Sequence, residues 1–129
     1  MEIKPITYKE TQKLSSMKHE QVEFRYNLPN CYYLGAYENG MLVGMVAWQI
    51  MKNGNILRYK SDCVLPAYRK RGIYSALWKA RDEATKNIKY ELVTAFCTQM
   101  SIGMYLSHGF SQGKTNKNNV TFVKKENRK

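Results

Sequence analysis

The sequence is poor in the side chains that bind metals or form cross-links. Its 129 residues hold three cysteines, Cys31, Cys63 and Cys97, far apart and without a C-x-x-C pair, and two histidines, His19 and His108. An odd, scattered cysteine set argues against a disulfide framework, and so few ligands leave no well-spaced metal site. Three reduced, mostly buried thiols are expected instead. No apolar run approaches the length of a bilayer span, and the opening M-E-I-K-P-I-T has no apolar centre of a secretory leader. The expectation is therefore a cytoplasmic protein with no membrane partner. Repeats and low-complexity linkers are absent, and the length suits one domain covering residues 1–129.

Acidic residues are scarce in the second half. The formal charge is +11, from 21 basic and 10 acidic side chains, yet residues 1–51 carry five of each and cancel. The excess lies after them, and residues 69–129 alone hold +9, so an anionic partner would be drawn there. The lysine-rich stretch after Gly113 also reads as a solvated surface. With 43% hydrophobic residues the chain has enough for a core.

The pattern of elements is mixed. Glu2 to Ile6 predicts a short strand, and Thr7-Tyr8-Lys9-Glu10 has the T-x-x-E spacing of a capping box ahead of a helix carrying Tyr8, Leu14 and Met17. Residues 18–30 read as helix, then loop. Cys31–Glu38 and Met41–Met51 predict two strands joined at Asn39-Gly40, a strong hairpin turn, and Asn53-Gly54-Asn55 leads into a third strand, Ile56–Leu65. In the middle strand strict alternation sets Leu42, Val46, Trp48 and Ile50 against Met41, Val43, Met45 and Ala47. Both sets are apolar, so helices should cover both faces. Beyond Pro66 the period changes, placing Ile73, Ala76, Leu77, Ala80 and Ala84 on one helical face. A strand over 91–98, a helix over 99–108 ended by Gly109, and a closing hairpin around G-K-T-N-K-N-N complete the order βα(α)βββαβαββ. The fold class is α/β, a mixed, mostly antiparallel sheet flanked by helices on both faces.

One segment stands out chemically. V-L-P-A-Y-R-K-R-G-I-Y-S-A-L, residues 64–77, brings a strand to a basic glycine turn that opens a helix. Helix starts leave N–H groups without acceptors and carry partial positive charge, so such a turn can cradle phosphate. Gly72 admits a close backbone approach, and Arg69, Lys70 and Arg71 add charge. The glycines of a P-loop or a Rossmann turn are absent.

These residues resemble the acetyl-CoA motif of the Gcn5-related N-acetyltransferases (GNAT), R/Q-x-x-G-x-G/A. Arg69 to Ile73 take its first five places, while Tyr74 stands where the family has glycine or alanine. Glu38 to Gly44 resembles the hairpin entering the family's third strand. S-I-G-M-Y-L-S-H-G-F, residues 101–110, resembles its A-I-x-x-Y-E-K-x-G-F ending. The likeness covers residues 31–110, with its parts in family order.

The resemblance implies an acetyl-CoA-dependent N-acetyltransferase without a metal. Acetyl-CoA is then the cosubstrate, and an amine attacks it directly in a ternary complex. It further implies that the strands over 56–65 and 91–98 part to admit pantetheine, bound by backbone near Cys63, Val64 and Leu65. The pyrophosphate would sit on Arg71, Gly72, Ile73, Tyr74 and Ser75, with Arg69 and Lys70 also binding the cofactor. Thr98 falls where many relatives hold the cofactor with an asparagine. Tyr105 matches the tyrosine that donates a proton to the departing thiolate, being protonated at neutral pH. A homodimer is compatible with the family. No residue stands out as the general base: Asp62 and Glu38 are the nearest acids by sequence. Cys63 and Cys97 have no histidine partner to make them nucleophiles.

Two other readings stay open at this level. A basic module contacting nucleic acid or the ribosome would use the lysines and the ten tyrosines, though no recognised motif for it appears. A GNAT-like protein without activity would follow if Tyr74 and Thr98 impair the cofactor site.

Overall fold

The computed structural model describes residues 1–14, 29–51 and 54–126. Strand β1 (Glu2–Ile6) runs into α1 (Tyr8–Thr11), whose start is the predicted capping box: Thr7 Oγ1 accepts from Glu10 N–H and Glu10 Oε1 accepts from Thr7 N–H. Met17, Asn53 and the helix-then-loop reading of 18–28 lie outside the described residues. Asn39 and Gly40 take left-handed φ of 50° and 78°, as a tight hairpin turn of the Asn-Gly kind requires. They fold β2 (Cys31–Glu38) onto β3 (Met41–Met51), and β4 (Ile56–Val64) follows.

A 3-10 turn over Pro66–Tyr68 leads to α2 (Ile73–Thr85), then β5 (Leu92–Cys97), α3 (Ile102–Ser107), β6 (Ser111–Thr115) and β7 (Thr121–Glu126). Gly109, at φ 88°, turns the chain out of α3. The seven strands form one sheet in the order β1-β2-β3-β4-β5-β7-β6. Every neighbouring pair is antiparallel except β4 and β5, which run parallel.

The sheet is covered on both faces, as the apolar middle strand requires. On one face Leu34, Val46, Trp48, Leu57 and Val123 meet Leu77 and Trp78 of α2 and Tyr105 of α3. On the other, Ile6, Tyr37, Leu42, Met45 and Cys63 meet Leu14 just beyond α1. The alternation predicted for β3 is not kept throughout. Val43 joins Val46 and Trp48, and Leu42 joins Met45. Ala36 pairs with Gly44 but Tyr37 with Leu42, so Val43 is an extra residue in β3, and such a bulge exchanges the faces.

The buried face of α2 is also turned from the predicted one. Ile73, Leu77, Arg81 and Thr85, with Trp78, are buried, whereas Ala84 is exposed. A spacing of four carries a full charge into the core. No helix among the described residues is long and apolar enough to cross a membrane.

Candidate active site

Strands β4 and β5 stay in register only from Ile56–Leu92 to Tyr59–Ala95, although both continue further. The cause lies on the other edge of β4. Met45 pairs with Cys63 but Ala47 with Lys60, so Ser61 and Asp62 together oppose Val46, and Ser61 takes φ 59°. A bulge of this kind sharpens the local twist and bends the strand away from its neighbour. A cavity of about 100 Å³ opens where the strands part, with Tyr59, Asp62 and Tyr105 towards one face and Arg58 and Phe96 towards the other. Thr98 and Ser101 also line it.

A second cavity, about 350 Å³, lies against the start of α2. Val64, Arg69, Lys70, Gly72, Ile73, Tyr74 and Ser75 line it, with Met104 of α3 and the nearby Met100. Gly72 is the N-cap at φ 79°, offers no side-chain cap, and a Cβ there would meet nothing within 4 Å. The first helical bond runs from Ala76 N–H to Gly72 C=O at 3.0 Å, so the earlier N–H groups of the helix face outward without helical acceptors. Arg69 Nε donates to Val64 C=O at 2.9 Å, clasping the turn to the strand. Arg71 is exposed, its guanidinium 5.1 Å from the Tyr68 ring centre. The turn therefore presents backbone donors and a Lys70–Arg71 rim, a cradle suited to a diphosphate.

Between the two cavities stands a buried charge network. Asp62 Oδ1 accepts from Arg81 Nη1 at 2.6 Å; its Oδ2 accepts from Arg81 Nη2 at 3.0 Å, from Tyr105 Oη at 2.9 Å, and from Tyr74 Oη. Arg81 is fully buried, also donates to Ala47 C=O at 3.1 Å, and lies 3.8 Å from the Tyr59 ring centre. Burial works against its charge, but Asp62 outweighs that and pushes the guanidinium pKa up. Burial first, then the Asp62 charge, holds Tyr105 and Tyr74 well above an ordinary phenol. The same two causes push the Cys97 thiol up to about 11.

A family model described as an acetyltransferase (GNAT) domain matches residues 29–112, more than half of the chain. The chain belongs to the GNAT acetyltransferases. Comparison with curated proteins finds no match. Among solved structures, this GNAT chain is similar to a PaiA N-acetyltransferase from Thermoplasma acidophilum in complex with coenzyme A: TM-score 0.74, 14% identity, 98% of each chain covered. Tetrahymena Gcn5 gives TM-score 0.75 at 10% identity, over 98% of this chain and 96% of the other. An aminoglycoside 6'-N-acetyltransferase complexed with coenzyme A gives 0.69 at 13%, over 96% and 94%. At such identities the likeness speaks for the fold alone.

Within this GNAT fold the singled-out residues fall into three groups. Val64, Arg69, Lys70, Gly72, Ile73, Tyr74 and Ser75 share the larger cavity, while Arg71 does not line it and lies exposed over Tyr68; Thr98 and Tyr105 share the smaller one. Cys63 is set apart, its side chain packed in the core of the opposite face. Leu65 N–H is taken by Val43 C=O at 2.8 Å. Tyr74 does not stand across the cradle: its hydroxyl reaches inward to Asp62, and its ring lies edge-on to Trp78.

Asp62 has its oxygens filled by donors, which removes it as a base. Glu38 lies near the N-terminal amine at 3.9 Å, on β2, two strands from the parting. Among the described residues no three His, Cys, Asp or Glu side chains gather to hold a metal. Sequence reading overlooked Arg81, because a charged residue in an amphipathic helix is assigned to solvent by default. The signal that finds it is the spacing Ile73, Leu77, Arg81, Thr85.

Proposed function

We propose that residues 1–129 form a single-domain N-acetyltransferase that moves an acetyl group from acetyl-CoA to a primary amine by direct attack. The observation that carries this is the meeting of three features: the parting of β4 from β5, the open N-terminus of α2, and Tyr105 between them. The backbone N–H groups at the start of α2, with Lys70 and Arg71, would hold the diphosphate. The stretch of β4 past Tyr59, where its register with β5 ends, would hold the pantetheine arm. Acetyl-CoA supplies the acetyl group as a thioester.

The protein's own part is then positioning and proton supply. Gly72 and the N–H groups at the start of α2 orient the donor, and holding two reactants in line provides much of the rate. Tyr105 Oη supplies a proton to the leaving sulfur. Its raised pKa keeps that proton in place across the ordinary pH range. When Tyr105 turns to sulfur, Asp62 still accepts from Arg81 and Tyr74, so its buried charge keeps partners. An alkylamine, with an ordinary pKa near 10.4, must arrive deprotonated or lose its proton to water.

The test is calorimetry of the full chain with acetyl-CoA, followed by release of free thiol with an amine panel. Saturable heat and amine-dependent thiol release are expected. No heat at millimolar acetyl-CoA would sink the assignment.

A further inference from the structure

The smaller cavity has a second end, and its groups are unlike those around Asp62. Arg58 stands on β4 one residue before the strands part, in register with Thr94 of β5. Its neighbour Tyr59 points into the α2 core, so Arg58 lies on the opposite face. There its guanidinium lies 5.1 Å from the ring centre of Phe96, which is 56% exposed, and both residues line the cavity.

Arg58 is half-buried and differs from the fully buried Arg81. No carboxylate among the described residues pairs with it, and its Nε is buried with no hydrogen-bond partner. Beside it Thr94, 4% exposed, has a buried Oγ1 that is likewise unpartnered. Buried donors are nearly always paired in folded proteins, so each orphan asks for a reason; Arg81 Nε and Trp78 Nε1 are unpartnered too, but among these residues Arg58 is the one that lines the cavity. Two adjacent orphans, one of them cationic, ask for an oxyanion. A guanidinium fork matches a carboxylate or phosphate in two hydrogen bonds, and a threonine hydroxyl can add a third. Phe96 offers an apolar surface at the same opening.

We infer that Arg58, with Thr94 and Phe96, receives an anionic group on the acceptor. The acceptor is then an amine bearing a carboxylate or a phosphate, and not a simple polycation. This rests on the acetyltransferase reading above. Arg58 and Tyr105 line one small cavity, so the amine is placed towards Tyr105 and the anion towards Arg58, within one compact molecule or chain terminus.

The test uses matched acceptors at saturating acetyl-CoA: L-phenylalanine against L-phenylalaninamide, and O-phosphoethanolamine against ethanolamine, with thiol release as readout. The anionic member of at least one pair should have a kcat/KM larger on the order of tenfold or more. Which pair shows it tells carboxylate from phosphate. Arg58→Gln should level that pair through KM, while Arg58→Lys, which keeps the charge and loses the fork, should keep part of the preference. Acetyl-CoA Kd, measured separately, should not change in either variant. The inference is overturned if neutral members serve as well as anionic ones, if no probe is acetylated, or if Arg58→Gln keeps the preference. Failure of the wild-type protein to bind acetyl-CoA would instead remove the acetyltransferase reading itself, and this inference with it.

Discussion

Two arginines near the parting of β4 and β5, one fully buried and one half-buried, have opposite surroundings. Arg81, on the α2 side, has a carboxylate, a backbone carbonyl and an aromatic face around it, and it ties β4, α2 and α3 together through Asp62. Arg58, on the other side, has the face of Phe96 and no carboxylate partner among the described residues. The first arrangement completes the structure from within. The second is the place proposed above for the acceptor's anion. A charged residue's environment, more than its identity, separates scaffold from site.

The largest expected effect comes from breaking the satisfied side. Arg81→Leu leaves Asp62 buried without its cation and should lower the unfolding free energy by about 3–5 kcal/mol in a urea titration. A double replacement, Arg81→Met with Asp62→Leu, should recover most of that loss, since both charges leave the core together. If the single variant is as stable as wild type, the network is ornamental.

Next is Tyr105, where scaffold and chemistry meet. Tyr105→Phe should lower kcat on the order of 100-fold with little change in acetyl-CoA affinity, while removing one hydrogen bond worth about 1 kcal/mol. Equal losses in affinity and rate would assign the phenol to binding. A smaller effect is expected at the cradle. Gly72→Val, forced to φ near 79°, should lose about 1–2 kcal/mol of stability and weaken acetyl-CoA binding measured by calorimetry. Gly72→Asn, which tolerates that conformation, should lose less of both.

The smallest effect is a slope with pH. Folding raises the pKa of Cys97 from 9.0 to about 11 and of Tyr74 and Tyr105 above 10. Where the folded pKa is the higher one, the unfolded chain ionises first, so stability is full below pH 9 and declines as pH rises from there. Urea titrations from pH 8 to 11 should show this decline, and Cys97→Ala should remove the part that begins near pH 9.

What was legible in the sequence follows the range of the forces involved. The hairpin at Asn39-Gly40, the Thr7–Glu10 box and the glycine turn before α2 were all readable, because each depends on residues a few places apart. Of the singled-out residues of that turn, Arg69, Lys70, Gly72, Ile73, Tyr74 and Ser75 come together around one cavity for the same reason, and Arg71 does not line it. Strict alternation misplaced Val43, since a bulge is settled by how the partner strand fits and not by the strand's own pattern.

Arg81 and Tyr74 belong with Val43. Their side chains look solvated or obstructive until Asp62 is brought under them from β4. By itself the sequence determined the kinds and order of the described elements and a helix start opened by Gly72, because backbone φ preferences and capping act locally. Only the tertiary structure decided where β4 leaves β5, which arginine pairs with a carboxylate and which does not, and that Asp62 meets Tyr74 and Tyr105. Those outcomes depend on strand register and on desolvating charge against distant partners, and neither exists until the sheet has closed.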